Sequence, residues 1–303
     1  MAAFSVLGLM LVNTLRNQSR FRSDTDAQAE THQGLNAALD SLTRDIRLAG
    51  ACLPTQPSFI PLAATSGTRT DAQGVVQQND TVTIRTGAVT GATTCPQSTL
   101  TADAAGNSTV LSVADIRGFA VGAMAYLIGP NSQPAGEFIT VTGVTTGSSC
   151  ASSTPNCGTL TTTSSHVQYP AASSGLYGLE QRVYSIDATN YPTTAAPVPT
   201  LVRNLNGTGN QPIAVGIESL DVQYRLNSAC PSTGCSGTCT NQGSPATSSL
   251  CDQPSANAVW LTVSQVVVTM SARSSTTLTT GGFFREQVTS SLQPRNLLVF
   301  RSS

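Results

Sequence analysis

Most of the chemistry open to this sequence lies in its cysteines, at positions Cys52, Cys95, Cys150, Cys157, Cys230, Cys235, Cys239 and Cys251. Thiolates can hold zinc, or they can pair as disulfides in an oxidising compartment. Cys230, Cys235, Cys239 and Cys251 are the candidate zinc set. However, zinc sites favour tight pairs such as Cys-x-x-Cys, and this stretch has neither such a pair nor a histidine. An even count in turn-rich sequence favours disulfides. Cys150 with Cys157 is the easiest local closure, and Cys52 with Cys95 would tie a helix exit to a β-rich head. The last four are read as Cys230 with Cys251 and Cys235 with Cys239.

Other reactive groups are sparse. His32 sits in polar helical sequence and His166 in a Ser/Thr-rich stretch. Neither shares a recognisable motif with a nucleophile, and there is no GxSxG, HExxH, P-loop or dinucleotide fingerprint. Asp24-x-Asp26 suggests calcium, but the positions after it lack the expected oxygen ligands. The expectation is a protein without catalytic residues, cofactor or resident metal. Only 10% of residues are charged and the net charge is -1, so no global field draws the chain to nucleic acid or acidic membrane. Arg16, Arg20 and Arg22 form one small basic cluster, read as a solvated helix face.

The elements that must position these groups begin with a helix. Met1 to Val12 is uninterruptedly apolar. As a helix it rises about 18 Å, short of a bilayer core of about 30 Å. It lacks the basic start and small-residue cleavage site of a signal peptide. A polar stretch without breakers comes next. Apolar spacing then returns at Leu35, Ala38, Leu39, Leu42, Ile46 and Ala49, on one helical face. Gly50 suits the C′ position, and Pro54 stops continuation. One helix of about 45 residues is expected, from near Ala3 to near Ala49. Phe4, Val6, Leu7, Leu9, Met10 and Leu11 would serve assembly. Leu35, Leu39, Leu42 and Ile46 would pack a head.

Thr- and Val-rich runs separated by Gly, Pro and Asn make the rest β-rich. The division expected is an assembly helix over residues 1–50 and a head over 51–303. Ser108 to Ala114, Ala123 to Ile128 and Glu137 to Val144 read as strands of a small inserted β-module at about 105–170, with Phe119 and Val121 anchoring a turn. That module is read as a stabilising decoration, with ligand binding as the rival. Ala258 to Arg273 reads as a central strand on the helix stripe, with Phe284 to Leu292 beside it. Trp260 is assigned to the core or its rim rather than to a sugar-stacking platform. Ser228 to Pro254 nearly lacks large apolar residues. It reads as a disulfide-held loop protruding at a sheet edge and a candidate contact with a partner or surface.

Several segments resemble type IV pilins, more closely the PilW-type minor pilins. Ala2 to Asn13 is similar to the middle of the pilin hydrophobic helix. Leu42 to Pro54 is similar to the group's helix exit, where Arg44, Asp45, Arg47, Ala49 and Gly50 match an Arg-Asp-x-Arg-x-Ala-Gly pattern. Asn79 to Thr86 resembles the first head strand, Val183 to Asn204 a hairpin, Ile213 to Leu226 the next turn and strand, and Phe284 to Asn296 the closing strand. The leader, the Gly-Phe junction and the Glu at the fifth mature position do not precede Met1. On this alignment Met1 falls about nine residues inside the mature helix, and those residues would bring the apolar run to about 20, enough to span.

The resemblance implies an α+β pilin-like fold: a long N-terminal helix on an antiparallel sheet, with the inserted module and the disulfide-rich loop. It implies a structural subunit that assembles with other pilin subunits through its helix. The subunit would sit in the bacterial inner membrane with a periplasmic head, then in the extracellular pilus. Priming at the tip, twitching motility, adhesion or DNA uptake would be its roles. A type II secretion pseudopilin is one alternative. Another is an adhesin or carbohydrate-binding head tethered by the helix. A surface, glycan or DNA ligand stays open.

Overall fold

The computed structural model describes residues 2–53 (2–9 for the backbone alone), 60–70, 74–87, 95–130, 136–147, 156–163, 167–171, 173–189, 198–242, 248–254 and 262–293. One helix, α1 (Ala2–Leu48), opens the chain. It ends where Gly50 takes φ 77°, a conformation that a Cβ disfavours. The Gly50 N–H then donates to the Arg85 carbonyl at 2.8 Å, turning the chain into the sheet.

The first strands are β1 (Leu62–Thr65), β2 (Thr68–Thr70), β3 (Val76–Gln78), β4 (Thr81–Gly87), β5 (Gln97–Thr99), β6 (Val110–Val113), β7 (Met124–Ile128), β8 (Glu137–Thr146) and β9 (Gly158–Thr162). The later ones are β10 (Gly175–Asp187), β11 (Thr200–Leu205), β12 (Asn210–Val215), β13 (Ile217–Leu226), β14 (Cys235–Gln242), β15 (Ser248–Pro254), β16 (Val263–Thr277) and β17 (Phe283–Leu292). A first sheet runs β1-β4-β10-β7-β8-β9-β6, with β5, β11 and β12 attached through β10 and β11. A second runs β14-β15-β13-β16-β17, and β2-β3 is a separate pair.

This corrects the α+β expectation of one helix on one sheet. The chain is dominated by β structure, divided among three sheets in the described residues. The division arises at Gly216, between β12 of the first sheet and β13 of the second. Its φ is +88°, and a Cβ there would lie 2.4 Å from the Arg273 carbonyl oxygen. Only glycine lets the chain pass that close while changing sheets. Asp80 fastens the seam: its carboxylate accepts from the Val222 N–H at 2.8 Å and the Gly67 N–H at 3.3 Å.

The main core joins both sheets to the helix. Leu35, Ala38, Leu42 and Ile46 of α1 meet Val82, Ile84, Tyr184 and Leu201 of the first sheet and Leu220, Val222, Val266 and Val268 of the second. Burial alternates along β4 and along most of β13, as a half-covered strand requires. β16 lies between β13 and β17 in register, Thr269 facing Asp221 on one side and Thr289 on the other. Trp260 lies outside the described residues.

Strands β6 to β9 enclose a second core of Leu111, Val113, Phe119, Leu127, Ile139, Val141 and Leu160, with Leu100, Tyr169 and Leu176. Their sheet continues the first one through β7, whose Tyr126 faces Tyr177 of β10. Phe119 is buried in that core, but Val121 is 68% exposed and does not anchor the turn. It stands beside Gly122, whose φ of 85° sends the chain through a surface turn.

The Cys-rich stretch is also corrected. It is an edge hairpin, β14 and β15, hydrogen-bonded to β13, and not a loop. Its disulfides are Cys230–Cys239 and Cys235–Cys251, so the pairing read from sequence is wrong. The ladder has a register shift between Ser236 and Cys239, and Cys239 and Cys251 stand opposite each other without bonding. Sequence spacing cannot show that shift. These four thiols are therefore spent on disulfides, which removes the zinc reading. Cys52–Cys95 is formed. Cys157 is disulfide-bonded, while Cys150 lies outside the described residues.

Candidate assembly interface

The helix is seated in its second half by a stripe. Ala27, Thr31, Leu35, Ala38, Leu42, Ile46 and Ala49 are buried at spacings of three and four residues. Leu39 is half-buried against the same core. A polar clasp locks the last turns. Asp45, 3% exposed, accepts a hydrogen bond from the Tyr184 hydroxyl at 2.6 Å and pairs with Arg182. Ser41 meets the Tyr184 hydroxyl at 3.1 Å. Burial, together with the bond to Asp45, pushes the Tyr184 phenol up to about 12. Burial opposes the Arg182 charge, but Asp45 and Glu180 outweigh it and raise its pKa.

A second set of contacts marks where the helix leaves the head. Asp24 accepts from the Thr279 N–H at 3.0 Å and from its hydroxyl at 2.7 Å, in the turn between β16 and β17. Glu30 accepts from the Ser275 hydroxyl at 2.8 Å. The His32 Nδ1 lies 2.5 Å from the Glu286 carboxylate, with its ring tilted over Phe284. Asp24 thus grips a turn, which accounts for it without calcium. His166 is outside the described residues.

On the N-terminal side of Asp24 the described residues of the head leave the helix uncovered. Residues 10–23 are all exposed, a free rod of about 21 Å. Met10 is 63% exposed, Leu11 65%, Leu15 56% and Phe21 74%. Phe4, Val6, Leu7 and Leu9 continue the rod, and their side chains are outside the described residues. Thr14 and Thr25 turn their hydroxyls onto the Met10 and Phe21 carbonyls, both at 2.8 Å. An isolated helical stretch of this length is marginal in water, and contiguous exposed apolar side chains mark a docking surface. No helix among the described residues is long and apolar enough to cross a membrane.

No family model matches this chain, and no curated protein matches it either. The functional reading therefore rests on the rod and its seat. Sequence spacing indicates Leu35 to Ala49 as the seat but misses Ala27, Thr31 and Asp45. Ala27 and Thr31 extend the same four-residue step from Leu35, a signal hidden by their small size. Asp45 escapes because an aspartate on an amphipathic helix is usually solvated.

Proposed function

We propose that this protein is a structural, non-catalytic subunit of a type IV pilus-like filament, related to PilW-type minor pilins. The free half of α1 docks among sister helices, and the β-rich head is displayed outside. The observation that carries this reading is one continuous helix whose residues 10–23 are bare while a stripe over residues 27–49 is seated in a core. A head needing α1 solely for its own stability would leave no reason for Leu11, Leu15 and Phe21 to stand in water. The disulfides suit an oxidising compartment, periplasmic or extracellular. In this reading the subunit waits at the inner membrane before entering the filament.

The test is incorporation. Leu11→Asp with Leu15→Asp, in the full chain, should leave the protein folded in the periplasm but absent from sheared filaments. Filaments carrying the variant at the wild-type level would overturn the assignment.

A further inference from the structure

The uncovered half of α1 changes its chemistry in a fixed order along the axis. It is apolar from Ala2 to Val12, and Asn13, Thr14 and Leu15 follow. The Thr14 hydroxyl is spent on the Met10 carbonyl, so it needs no water. Arg16, Arg20 and Arg22 come next, within about 9 Å of axial rise. Arg16 and Arg20 share one face, and at about 100° per residue Arg22 lies well away from both, so the charges flank the helix on more than one side. All three are exposed. Among the described residues none of them meets a carboxylate, whereas Arg44, Arg117, Arg182 and Arg285 each do. Acidic residues begin only at Asp24, and Asp24 and Glu30 bond to Thr279 and Ser275 of the head. The arginines therefore occupy the gap between the apolar start and the head.

We propose that Arg16, Arg20 and Arg22 bind the anionic headgroups of phospholipids, so that the subunit selects a negatively charged lipid surface before assembly. This rests on the assembly reading above and adds the lipid chemistry that it leaves open. The dimensions fit. From Ala2 to Leu15 the helix rises about 20 Å, more than half of a hydrocarbon core of about 30 Å. With that stretch in lipid, the arginines stand at the level of the phosphates. Their long stems let each guanidinium reach that layer from the helix, and its planar fork bonds phosphate oxygens in pairs. Asp24, Asp26 and the head then lie on the water side, and the exposed Asp26 is held off by the same anionic surface that attracts the arginines. A nucleic acid also offers phosphates, but it gives the adjoining apolar run nothing in which to bury itself.

The test is flotation of the full chain with vesicles of phosphatidylcholine alone and of phosphatidylcholine mixed with phosphatidylglycerol. The anionic lipid should strengthen binding about a hundredfold at low salt, and the advantage should shrink in about 1 M salt. A triple variant, Arg16→Gln, Arg20→Gln and Arg22→Gln, should bind both vesicles at the level of phosphatidylcholine alone. Its thermal unfolding should be unchanged, because the three side chains hold nothing in the head. Replacing the three by lysine should keep most of the preference, since the charge remains. Equal binding of the wild type to the two vesicles, or a glutamine variant that keeps the preference, would overturn the headgroup contact. So would a glutamine variant that loses binding to a DNA duplex while its vesicle binding is unchanged. The assembly reading is scored separately, by filament incorporation of the Leu11→Asp, Leu15→Asp chain. If that chain stays out of filaments while the lipid preference is absent, the headgroup contact alone fails.

Discussion

The two halves of α1 share a backbone but not an environment. From Ala27 to Ala49 the buried residues are mostly apolar, evenly spaced and countered by two sheets. From Met10 to Ser23 every residue faces water, and the large apolar side chains, Met10, Leu11, Val12, Leu15 and Phe21, crowd towards the N-terminal end. A stripe is what one flat surface selects. The contrast shows one element with a covered half and an uncovered half, and under the proposed function the uncovered half answers to partners outside the chain.

The sharpest way to break this contrast is to make the same substitution in both halves. Leu42→Ala removes a fully buried side chain and should cost about 2–5 kcal/mol of head stability by thermal or denaturant unfolding. Leu11→Ala should change the stability of the isolated protein by less than about 0.5 kcal/mol. Comparable losses at the two sites would mean that the outer half is part of the head's own core.

The clasp comes next. Asp45→Asn leaves Arg182 without its buried counter-charge and should cost about 2–4 kcal/mol, less than a fully buried pair because Arg182 is partly exposed. It also bears on pH. Tyr184 is held at about 12 in the fold against about 10 in the unfolded chain. Its contribution is therefore complete below about pH 10 and is lost as the pH rises towards 12. Tyr184→Phe should make that alkaline loss shallower without abolishing it. Tyr169, buried in the second core, is also pushed up to about 12. An unchanged alkaline limb in the Phe variant would remove Tyr184 from the account.

The exit contact has the smallest expected effect. Asp24→Ala loses two hydrogen bonds at a partly exposed site and should cost about 1 kcal/mol or less. Its signature is local: amides near residue 24 should exchange faster while the core is unchanged. No change there would place the boundary between the halves elsewhere.

The legibility of the sequence splits along the same line. Apolar spacing shows the seat from Leu35 to Ala49 because large side chains announce a stripe. Alternation shows β4, and the run Val266 to Val268 shows β16, which is covered on both faces there. What escapes has a physical cause in each case. The hairpin of β14 and β15 has few apolar residues and is held by two disulfides and a ladder to β13, so neither strand declares itself by pattern. Its pairing depends on a register shift between Ser236 and Cys239. The division into two large sheets turns on Gly216, one glycine among 25. At the rod, sequence shows that the start of α1 is apolar, but only the packed head shows where its cover ends.

Hydrogen exchange along α1, in the isolated protein and in the assembled filament, tests the central claim most directly. Residues 27–49 should be protected in both states. Residues 10–23 should exchange readily in isolation and become protected on assembly. If residues 10–23 are protected in the isolated chain, or remain unprotected in the filament, the outer half of the helix is not a surface for sister subunits.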